Sequence, residues 1–401
     1  MTTRYDFLII GAGIIGMAIA LSLRERFPKA SIAVADKEDQ GGRHASGRNS
    51  GVLHAGFYYP ADTLKARFTL EGNRVLTEYC LERGLPIRRC GKMVVAVTEQ
   101  DLPGIELLKK RAHHNGVTLE SLDLAQARAM EPALNDLLAV LHSPATAVVD
   151  PRIVLGSLTG DARAKGIDLH YGAPFLGRTR SGIRIGQTEM TCGYCINAAG
   201  LYADRIARAF GFSQDMAILP FKGLYLKLAA KIAPSLRTHL YPVPNLNNPF
   251  LGVHYTVTVD GGLKIGPTAI PALWREHYQG FSRFDLLEMM DIFLRESRLF
   301  LNNSFGFRHL AWNELGKLHK RGMLRQATPL ATPPGPVNAW HWGPPGIRAQ
   351  LIRLSDHSLV MDFHHEGDQH SFHVLNAVSP GFTCAIPFAR YLCDQMEKLM
   401  A

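Results

Sequence analysis

The residues that decide the fold stand near the start of the chain, in the stretch Tyr5-Asp-Phe-Leu-Ile-Ile-Gly-Ala-Gly-Ile-Ile-Gly16. Residues 5–10 form a short apolar run that ends at glycine, which is typical of a buried parallel strand. Residues 17–26 continue as a helix, residues 31–35 form a second strand, and Asp36 stands at its end. This order predicts a βαβ unit, and with it a domain of the α/β class.

The glycines of this stretch have distinct roles in binding a dinucleotide. Gly11 permits the tight turn after the strand, Gly13 lets a pyrophosphate approach the backbone, and Gly16 lets the helix and strand pack closely. The helix N-terminus attracts phosphate, and Asp36 can accept hydrogen bonds from ribose hydroxyls, which argues against NADP. The residues predicted for this Rossmann-type site are Gly11, Gly13, Ile14, Ile15, Gly16, Asp36 and Lys37.

The segments that follow favour FAD over NAD. Residues 41–60 form a loop rich in glycine, hydroxyl and basic groups, where a plain NAD dehydrogenase would have its next helix and strand. Small or glycine-rich segments recur at 194–200, 342–350 and 376–383, and the last leads into a helix whose N-terminus can face the anionic edge of a flavin. The further cofactor contacts predicted from these segments are Ser46, Asn49, Ser50, Gly51, Val52, Ala199, Gly200, Gly346, Arg348, Pro380, Gly381, Phe382 and Thr383.

Composition limits the other classes of function. A chain of 401 residues with 46% hydrophobic and 20% charged residues predicts two packed domains rather than a disordered protein. The net charge is +9, but no nucleic-acid-binding motif accompanies it, so we expect no nucleic acid partner. The densest basic stretch, 317–325, is interpreted as a solvated face, with a membrane or partner contact as the alternative. We expect a cytoplasmic protein without a signal peptide or membrane span, and peripheral contact with the inner membrane stays open.

Two motifs suggest metal or redox chemistry but have simpler interpretations. Cys192 and Cys195 lie in a strand-like run with no second CxxC pair, so we expect them to be structural. The histidine-rich segment 364–373 is predicted to be a polar hairpin between 359–363 and 372–375, with Gly367 and Asp368 at the turn. We therefore predict no metal site.

Longer motifs carry a resemblance to a known family. They are Asn49-Ser-Gly-Val-Leu-His-Ala-Gly-Phe-Tyr-Tyr59, Cys90-Gly-Lys92, Ala199-Gly-Leu-Tyr-Ala-Asp-Arg205, Tyr241-Pro-Val-Pro244, and the segments 249–254, 343–350 and 376–383. With these motifs the chain resembles the L-2-hydroxyglutarate dehydrogenase/oxidase group of the D-amino-acid-oxidase-like superfamily of FAD-dependent oxidoreductases. The resemblance implies oxidation of a small 2-hydroxy acid, L-2-hydroxyglutarate to 2-oxoglutarate, by hydride transfer from C2 to flavin N5. It also implies that oxygen or a quinone accepts the electrons.

The same resemblance implies an α+β organisation overall. A discontinuous Rossmann-type FAD-binding domain is assigned to 1–80, 145–215 and 335–401. A substrate domain on a mainly antiparallel sheet is assigned to 81–144 and 216–334. Within the substrate domain we predict helices at 100–115, 123–130 and 284–300, and strands at 225–229 and 252–265 with a turn at Asp260-Gly261.

Oxidising a 2-hydroxy acid requires a base for the hydroxyl proton and a cation for the carboxylate. His54 and His254 compete for the base, because imidazole titrates near neutral pH. Arg348 is predicted to clamp the carboxylate, since guanidinium is a planar bidentate donor. Lys222 and Tyr255 are weaker candidates for a second substrate carboxylate.

Two alternatives to a hydroxy-acid enzyme remain at this point. The fold is compatible with oxidation of an amino acid or related amine. Lys222 and Leu224 stand where the resembled group usually has Arg and an acid, which leaves the substrate open. A flavoprotein with a mainly binding role is suggested only by the positive charge.

Overall fold

The computed structural model describes residues 3–229, 236–244 and 252–401, so part of the predicted motif at 249–254 lies outside the described residues. None of the helices in the described ranges combines the length and apolar character that crossing a bilayer requires. The strands in these ranges, numbered in chain order, are β1 Thr3–Ile10, β2 Ile32–Ala35, β3 Val52–Leu53, β4 Ile87–Arg88, β5 Lys92–Ala96, β6 Glu120–Leu122, β7 Ala139–Ser143, β8 Ala147–Val149, β9 Asp168–His170, β10 Phe175–Arg178, β11 Ile183–Ile185, β12 Thr188–Asn197, β13 Met216–Gly223, β14 Leu226–Leu228, β15 His239–Pro242, β16 His254–Val257, β17 Leu263–Gly266, β18 Ile270–Pro271, β19 His341–Trp342, β20 Gly346–Arg353, β21 His364–Gly367 and β22 Ser371–Asn376.

The α-helices of the same ranges are α1 Ile14–Arg26, α2 Leu64–Glu82, α3 Leu102–His114, α4 Leu124–Met130, α5 Pro151–Ala164, α6 Ala203–Ala209, α7 Leu286–Leu301, α8 Phe307–Leu315, α9 Lys320–Ala327 and α10 Gly381–Met400. Helices α3, α4 and α7 agree with the predicted ranges to within two residues at each end. Asp123 caps α4 by accepting a hydrogen bond from the Gln126 N–H, and Asp285 caps α7 in the same way through the Glu288 N–H.

The chain forms two compact units, each assembled from separated segments. Unit 1 comprises Met1–Asn49, Pro151–Pro220 and Arg348–Ala401, and unit 2 comprises Ser50–Asp150 and Phe221–Ile347. The first boundary therefore falls at residue 49 rather than at the expected residue 80. The physical reason is that β3 pairs with β8 and α2 packs against β3, which places residues 50–80 in unit 2.

Unit 1 is built on the predicted βαβ arrangement. Its sheet has the order β10-β11-β12-β1-β2-β9, and β22 adds to β12 while β21 pairs with β22. β1 lies parallel to both β12 and β2, and α1 packs against α5 and α10. The residues of β2 are all buried, as expected for a parallel strand covered on both faces.

The histidine-rich segment of unit 1 forms the predicted hairpin, with shifted strands. β21 and β22 are antiparallel, and the Asp368 carboxylate accepts hydrogen bonds from the N–H groups of His370 and Ser371 at the turn, each 2.8 Å long. The first strand starts at His364 rather than at residue 359, so the polar residues form the strand itself.

Cys192 and Cys195 lie within β12, as predicted, and both are free thiols.

Unit 2 is built on the mainly antiparallel sheet that was expected of the substrate domain. Its order is β19-β14-β17-β16-β15-β5-β7-β6, and a separate three-stranded sheet has the order β3-β8-β4. The pair formed by β15 and β5 is parallel, whereas the other strand pairs described in both sheets are antiparallel. The turn at Asp260-Gly261 joins β16 to β17, with the Thr258 N–H donating to the Gly262 carbonyl over 2.8 Å.

The two faces of the larger sheet in unit 2 have different neighbours, because successive side chains of a strand point to opposite faces. Met93 and Tyr255 belong to a core that includes residues of α4 and α9. Val94 and Tyr241 belong to the other core, which includes residues of α3 and the aromatic ring of Phe57. This second face is where the polar side chains of the candidate active site lie.

Candidate active site

The turn between β1 and α1 has the close packing that a dinucleotide-binding turn requires. Gly11 has φ +111°, and a Cβ there would lie 2.5 Å from the Ala198 carbonyl oxygen. A Cβ at Gly16 would lie 1.9 Å from the Gly11 carbonyl oxygen. Both positions therefore exclude any side chain, which is the close packing of strand, turn and helix found in dinucleotide-binding turns.

Side chains beyond the turn hold its backbone in place. Asp36 accepts a 2.7 Å hydrogen bond from the Ala12 N–H through Oδ2 and a 2.9 Å bond from the Glu38 N–H through Oδ1. Ser46 Oγ accepts a 2.9 Å bond from the Ile14 N–H, so this hydroxyl fixes the loop against the start of α1. Each carboxylate oxygen of Asp36 has a further lone pair, which leaves capacity for a ribose hydroxyl.

Other predicted cofactor contacts of unit 1 have varied surroundings. Asn49 donates through its amide to the carbonyls of Ala45 and Ser46, and so stabilises the loop rather than presenting the amide outward. Lys37 pairs with Glu38, and its Nζ lies 5.4 Å from the ring centroid of Tyr202. The remaining positions are Ala199 and Gly200 directly after β12, Arg348 half-buried on β20, Pro380 before α10, and Gly381, Phe382 and Thr383 in its first turn.

The cofactor contacts predicted in unit 2 lie at or just before the first residues of β3 and β20. Gly51 has φ +82°, and its carbonyl accepts a 2.9 Å hydrogen bond from the Val149 N–H. The Ser50 carbonyl accepts a 3.3 Å bond from Lys264 Nζ, and Val52 pairs with Val148 in the sheet. Gly346 is the first residue of β20.

The most unusual group of unit 2 is the ammonium of Lys92, the first residue of β5. Lys92 is fully buried, and the described residues offer its Nζ no hydrogen-bond acceptor. Instead, Nζ lies 4.6, 4.4 and 4.9 Å from the ring centroids of Phe57, Tyr58 and Tyr241. Burial lowers the pKa of Lys92 from 10.5 to about 7.

His239 lies directly beside Lys92, because the two residues are partners in the parallel register of β15 and β5. Its Nδ1 accepts a 3.1 Å hydrogen bond from the Val257 N–H, so the proton of the neutral ring is on Nε2. Nε2 lies 3.3 Å from Cys90 Sγ, to which it donates. Burial, and then the charge of Lys92, lowers the pKa of His239 to about 3.

His254 is held in one orientation by two neighbours. Its ring stacks on Tyr241 with the centroids 3.8 Å apart, and its Nδ1 lies 2.8 Å from the Gly252 carbonyl oxygen. A carbonyl can only accept, so Nδ1 carries the proton and Nε2 keeps its lone pair. Burial lowers the pKa of His254 to about 3, and the charge of Lys92 acts in the same direction.

His54 completes this group of buried side chains, which we call the polar cluster: His54, Lys92, His239 and His254. Burial lowers the pKa of His54 well below its usual value, and the charges of Lys92, His254 and His239 add to the effect. The two histidines predicted as alternative bases are therefore neighbours. The cluster presents uncharged imidazoles at neutral pH, which can accept a proton.

Comparison with known proteins places the chain in a family. The family model described as FAD dependent oxidoreductase matches residues 6–395. The chain belongs to the FAD-dependent oxidoreductase family. FAD is thus its cofactor, and the close-packed turn after β1, with Asp36 at the end of β2, fits a dinucleotide in unit 1.

The sequence is similar to proteins named L-2-hydroxyglutarate dehydrogenase. It is 34% identical to the mitochondrial protein of that name from Homo sapiens, over 99% of this chain and 89% of the relative. It is 35% identical to the protein of that name from Salmonella houtenae, over 98% of this chain and 94% of the relative. The fold is similar to that of FAD-bound L-alpha-glycerophosphate oxidase from Mycoplasma pneumoniae, with a TM-score of 0.76, 21% identity, and coverage of 99% of this chain and 95% of the other. The resemblance seen in the motifs is confirmed.

Two further residues predicted for this FAD-dependent oxidoreductase's substrate site, Tyr255 and Lys222, differ in their positions in the fold. Tyr255 follows His254 in β16 and so points to the opposite face of the sheet, where its hydroxyl donates a 2.8 Å hydrogen bond to the Ala331 carbonyl within the core. We therefore withdraw Tyr255 as a substrate ligand. Lys222 lies in β13, which pairs with β18 in another sheet, and together with burial its charge lowers the pKa of His277 to about 4.

Lys92 was missed as a functional candidate, although its motif was singled out. The signal was available in Lys92-Met-Val-Val-Ala96, where one lysine opens an otherwise apolar strand. A charge in such a run is expected at an exposed end, whereas the structure surrounds it with rings from residues 57, 58 and 241. These residues are distant in sequence, so no local pattern brings them together.

Proposed function

We propose that the protein oxidises L-2-hydroxyglutarate to 2-oxoglutarate. The observation that carries the proposal is the 34% identity to a protein of that activity over 99% of this chain. The polar cluster supports it, because removing two electrons from an alcohol also releases the hydroxyl proton, and buried neutral imidazoles can accept that proton. We propose oxygen or a quinone as the acceptor that completes the cycle.

The cofactor is held by backbone more than by side chains in this proposal. The turn at Gly11 and Gly13 admits the pyrophosphate, the first turn of α1 offers its positive end, and Asp36 binds a ribose hydroxyl. FAD, when bound, supplies the acceptor for the two electrons and the C2 hydrogen of the substrate.

His254 is the proposed base for the hydroxyl proton. Its Nδ1 proton is engaged by the Gly252 carbonyl, and the stacked Tyr241 ring fixes the plane of the imidazole, so Nε2 is presented as an acceptor in one direction. His54 lies in the same cluster and is the alternative base. An anionic substrate raises the pKa of a nearby imidazole, and so brings the base closer to the value that proton transfer at neutral pH requires.

Cationic side chains are proposed to bind the substrate and to lower the pKa of the base. Arg348 is proposed as the carboxylate clamp and Lys222 as the partner of a second carboxylate. Lys92 acts on the base through its charge, since it lowers the pKa of both His54 and His254. Burial, with a smaller contribution from this charge, keeps the imidazoles unprotonated before the substrate arrives.

An anaerobic spectral titration tests the proposed substrate. We expect L-2-hydroxyglutarate to bleach the flavin absorbance of the holoenzyme, whereas D-2-hydroxyglutarate, L-glutamate and glycine leave it unchanged. Dithionite serves as the control that the bound flavin is reducible in every sample. Bleaching by an amino acid, without bleaching by L-2-hydroxyglutarate, would refute the proposal and favour carbon–nitrogen oxidation.

His254→Asn tests the proposed base with a matched change. The Asn amide can still donate to the Gly252 carbonyl but lacks an acceptor in the place of Nε2. We expect kcat to fall by roughly 10²–10⁴-fold with flavin content unchanged. The parallel variant His54→Asn distinguishes the two bases, because only the variant of the true base loses this much.

A further inference from the structure

Two free thiols share one apolar core of unit 1, although their spacing along a strand would normally separate them. Cys192 and Cys195 both lie in β12. Successive side chains of a strand point to opposite faces, so residues three apart normally lie on opposite sides of the sheet. Cys195 nevertheless belongs to the core that contains Tyr5 and Leu8, and Cys192 packs against the same core. The two thiols therefore lie on one face of the sheet.

An irregularity in the neighbouring strand accounts for this placement. The N–H groups of Asp6 and Phe7 in β1 both donate to the Ser31 carbonyl, over 2.9 and 3.1 Å. Two residues that oppose one form a β-bulge, which interrupts the alternation of side chains. β12 follows β1, because the two strands keep the same register before and after this point. A Cβ at Gly193, between the two cysteines, would lie 3.0 Å from the Asp6 carbonyl oxygen, so the missing side chain lets the strands approach here.

A hydrogen bond joins the two thiols of this pair. The bond lowers the pKa of Cys192 although burial opposes it, and the same bond together with burial raises the pKa of Cys195 well above its usual value. Cys195 is thus the donor and Cys192 the acceptor. Cys192 is only partly buried, whereas Cys195 is 2% exposed, so an ion reaches the pair from the side of Cys192. The charge of Arg178 favours the thiolate form of Cys195.

The chemistry of this pair suits a soft monovalent cation. Thiolate sulfur selects soft ions, among them Cu(I). A structural zinc ion requires four ligands, and in the part of the chain that the structure describes no third histidine, cysteine or carboxylate groups with the pair. Cu(I), in contrast, is stable with two thiolates alone. One Cu(I) between two thiolates has a net charge of −1, and the guanidinium of Arg178 compensates part of it.

We propose that Cys192 and Cys195 form a binding site for one Cu(I) ion, held between their two sulfur atoms. Binding replaces the two thiol protons, which pass to solvent, and no electron is transferred. A disulfide is a poorer product of the same pair, because bridging requires Cα atoms roughly 4.4–6.8 Å apart, whereas three residues of a strand span roughly 10 Å. The site belongs to unit 1 and the polar cluster to unit 2, so this inference is independent of the substrate.

Titration of the reduced holoenzyme with Cu(I) tests the proposal. Under argon, with the chelator ferrozine as chromogenic competitor, we expect the parent to bind one Cu(I) per chain more than Cys192→Ala or Cys195→Ala. Cys80→Ala is the matched control, since Cys80 is a buried free cysteine of α2, and this variant should bind as much Cu(I) as the parent. Flavin content and circular dichroism show that each variant is folded. Cys192→Ala keeps the test decisive if Cys195→Ala fails to fold, because Cys192 is only partly buried.

X-ray absorption at the copper edge supplies a second readout that does not depend on the competitor. We expect the parent with one equivalent of Cu(I) to show a two-coordinate ion with sulfur ligands alone. The proposal is overturned if the folded single variants bind as much Cu(I) as the parent, or if nitrogen or oxygen ligands dominate the spectrum. It is also overturned if the denatured parent, purified anaerobically, has two alkylatable thiols fewer than its six cysteines, because the pair is then a disulfide.

Discussion

Replacing Lys92 by Met tests the buried ammonium that the polar cluster surrounds. Met has a similar length and also packs well against aromatic rings, so Lys92→Met removes the charge while keeping the contacts with Phe57, Tyr58 and Tyr241. Lowering a lysine pKa from 10.5 to about 7 corresponds to about 5 kcal/mol against the charged form. Attraction to the rings favours the charge by about 2 kcal/mol when desolvated, which is less than the effect of burial.

The pH dependence of stability follows from these two pKa values. The unfolded chain keeps the lysine proton up to about pH 10.5, whereas the folded protein releases it near pH 7. The unfolded state therefore binds more protons between these values, and stability rises with pH across that window. From about pH 6 to about pH 9 the rise due to Lys92 amounts to about 3 kcal/mol, and Lys92→Met should lack it.

Urea unfolding of both proteins at several pH values measures this difference. All four tryptophans, at 274, 312, 340 and 342, lie in unit 2 together with Lys92, so their fluorescence reports the unfolding of that unit. The control is Lys398→Met, because Lys398 is exposed on α10 and should give a difference that is independent of pH. If the stabilities of the parent and Lys92→Met ran parallel from about pH 6 to about pH 9, the reasoning on Lys92 would be refuted.

Three further changes test other parts of the structure. Gly11→Ala places a Cβ 2.5 Å from the Ala198 carbonyl oxygen at φ +111°, so the flavin content should fall below about a tenth of that of the parent. The control is Gly156→Ala, which has open space around its Cβ and should keep the flavin. The parent protein should lose stability as pH rises from about 4.5 to about 8, because folded Glu296 keeps a proton that the unfolded chain releases, and Glu296→Gln should remove this loss. Urea midpoints of both proteins at about pH 5 and pH 8 measure the difference. An equal pH dependence in the two proteins would contradict the prediction. Arg348→Lys should raise KM about tenfold or more in steady-state assays, with FAD still bound, since a point charge replaces a bidentate donor, and unchanged kinetics would remove Arg348 from the substrate site.

Local patterns were sufficient for the elements that depend on neighbours in sequence. The first strand, the turn at Gly11 and the helix after it were predictable because strand, glycine spacing and acid all lie within one short segment. The hairpin at Asp260-Gly261 and helix α7 were predictable for the same reason. The domain boundary at residue 49 was not, since it depends on pairing between β3 and β8, which are distant in the chain.

The candidate site was predicted in part. His54 and His254 were proposed separately as bases, and the structure shows that they share one buried cluster with Lys92. Tyr255 could have been set apart from His254 by strand geometry alone, because adjacent residues of a strand point to opposite faces. The burial of Lys92 required the fold, since the rings around it come from β15 and from the loop after β3.

The parallel pairing of β5 with β15 has a consequence for synthesis of the chain on the ribosome. β5 can pair with the nearby β7 as soon as both have been synthesised. Its other edge has no partner until β15 has been synthesised, roughly 150 residues later, and translating these residues takes about 7–30 seconds. During that interval β5 is an edge strand whose run Met-Val-Val-Ala invites pairing with other chains. Lys92 at its start is then exposed and charged, and lysine on an open edge opposes such association. We infer that Lys92, which is buried in the folded protein, also protects the nascent chain from aggregation.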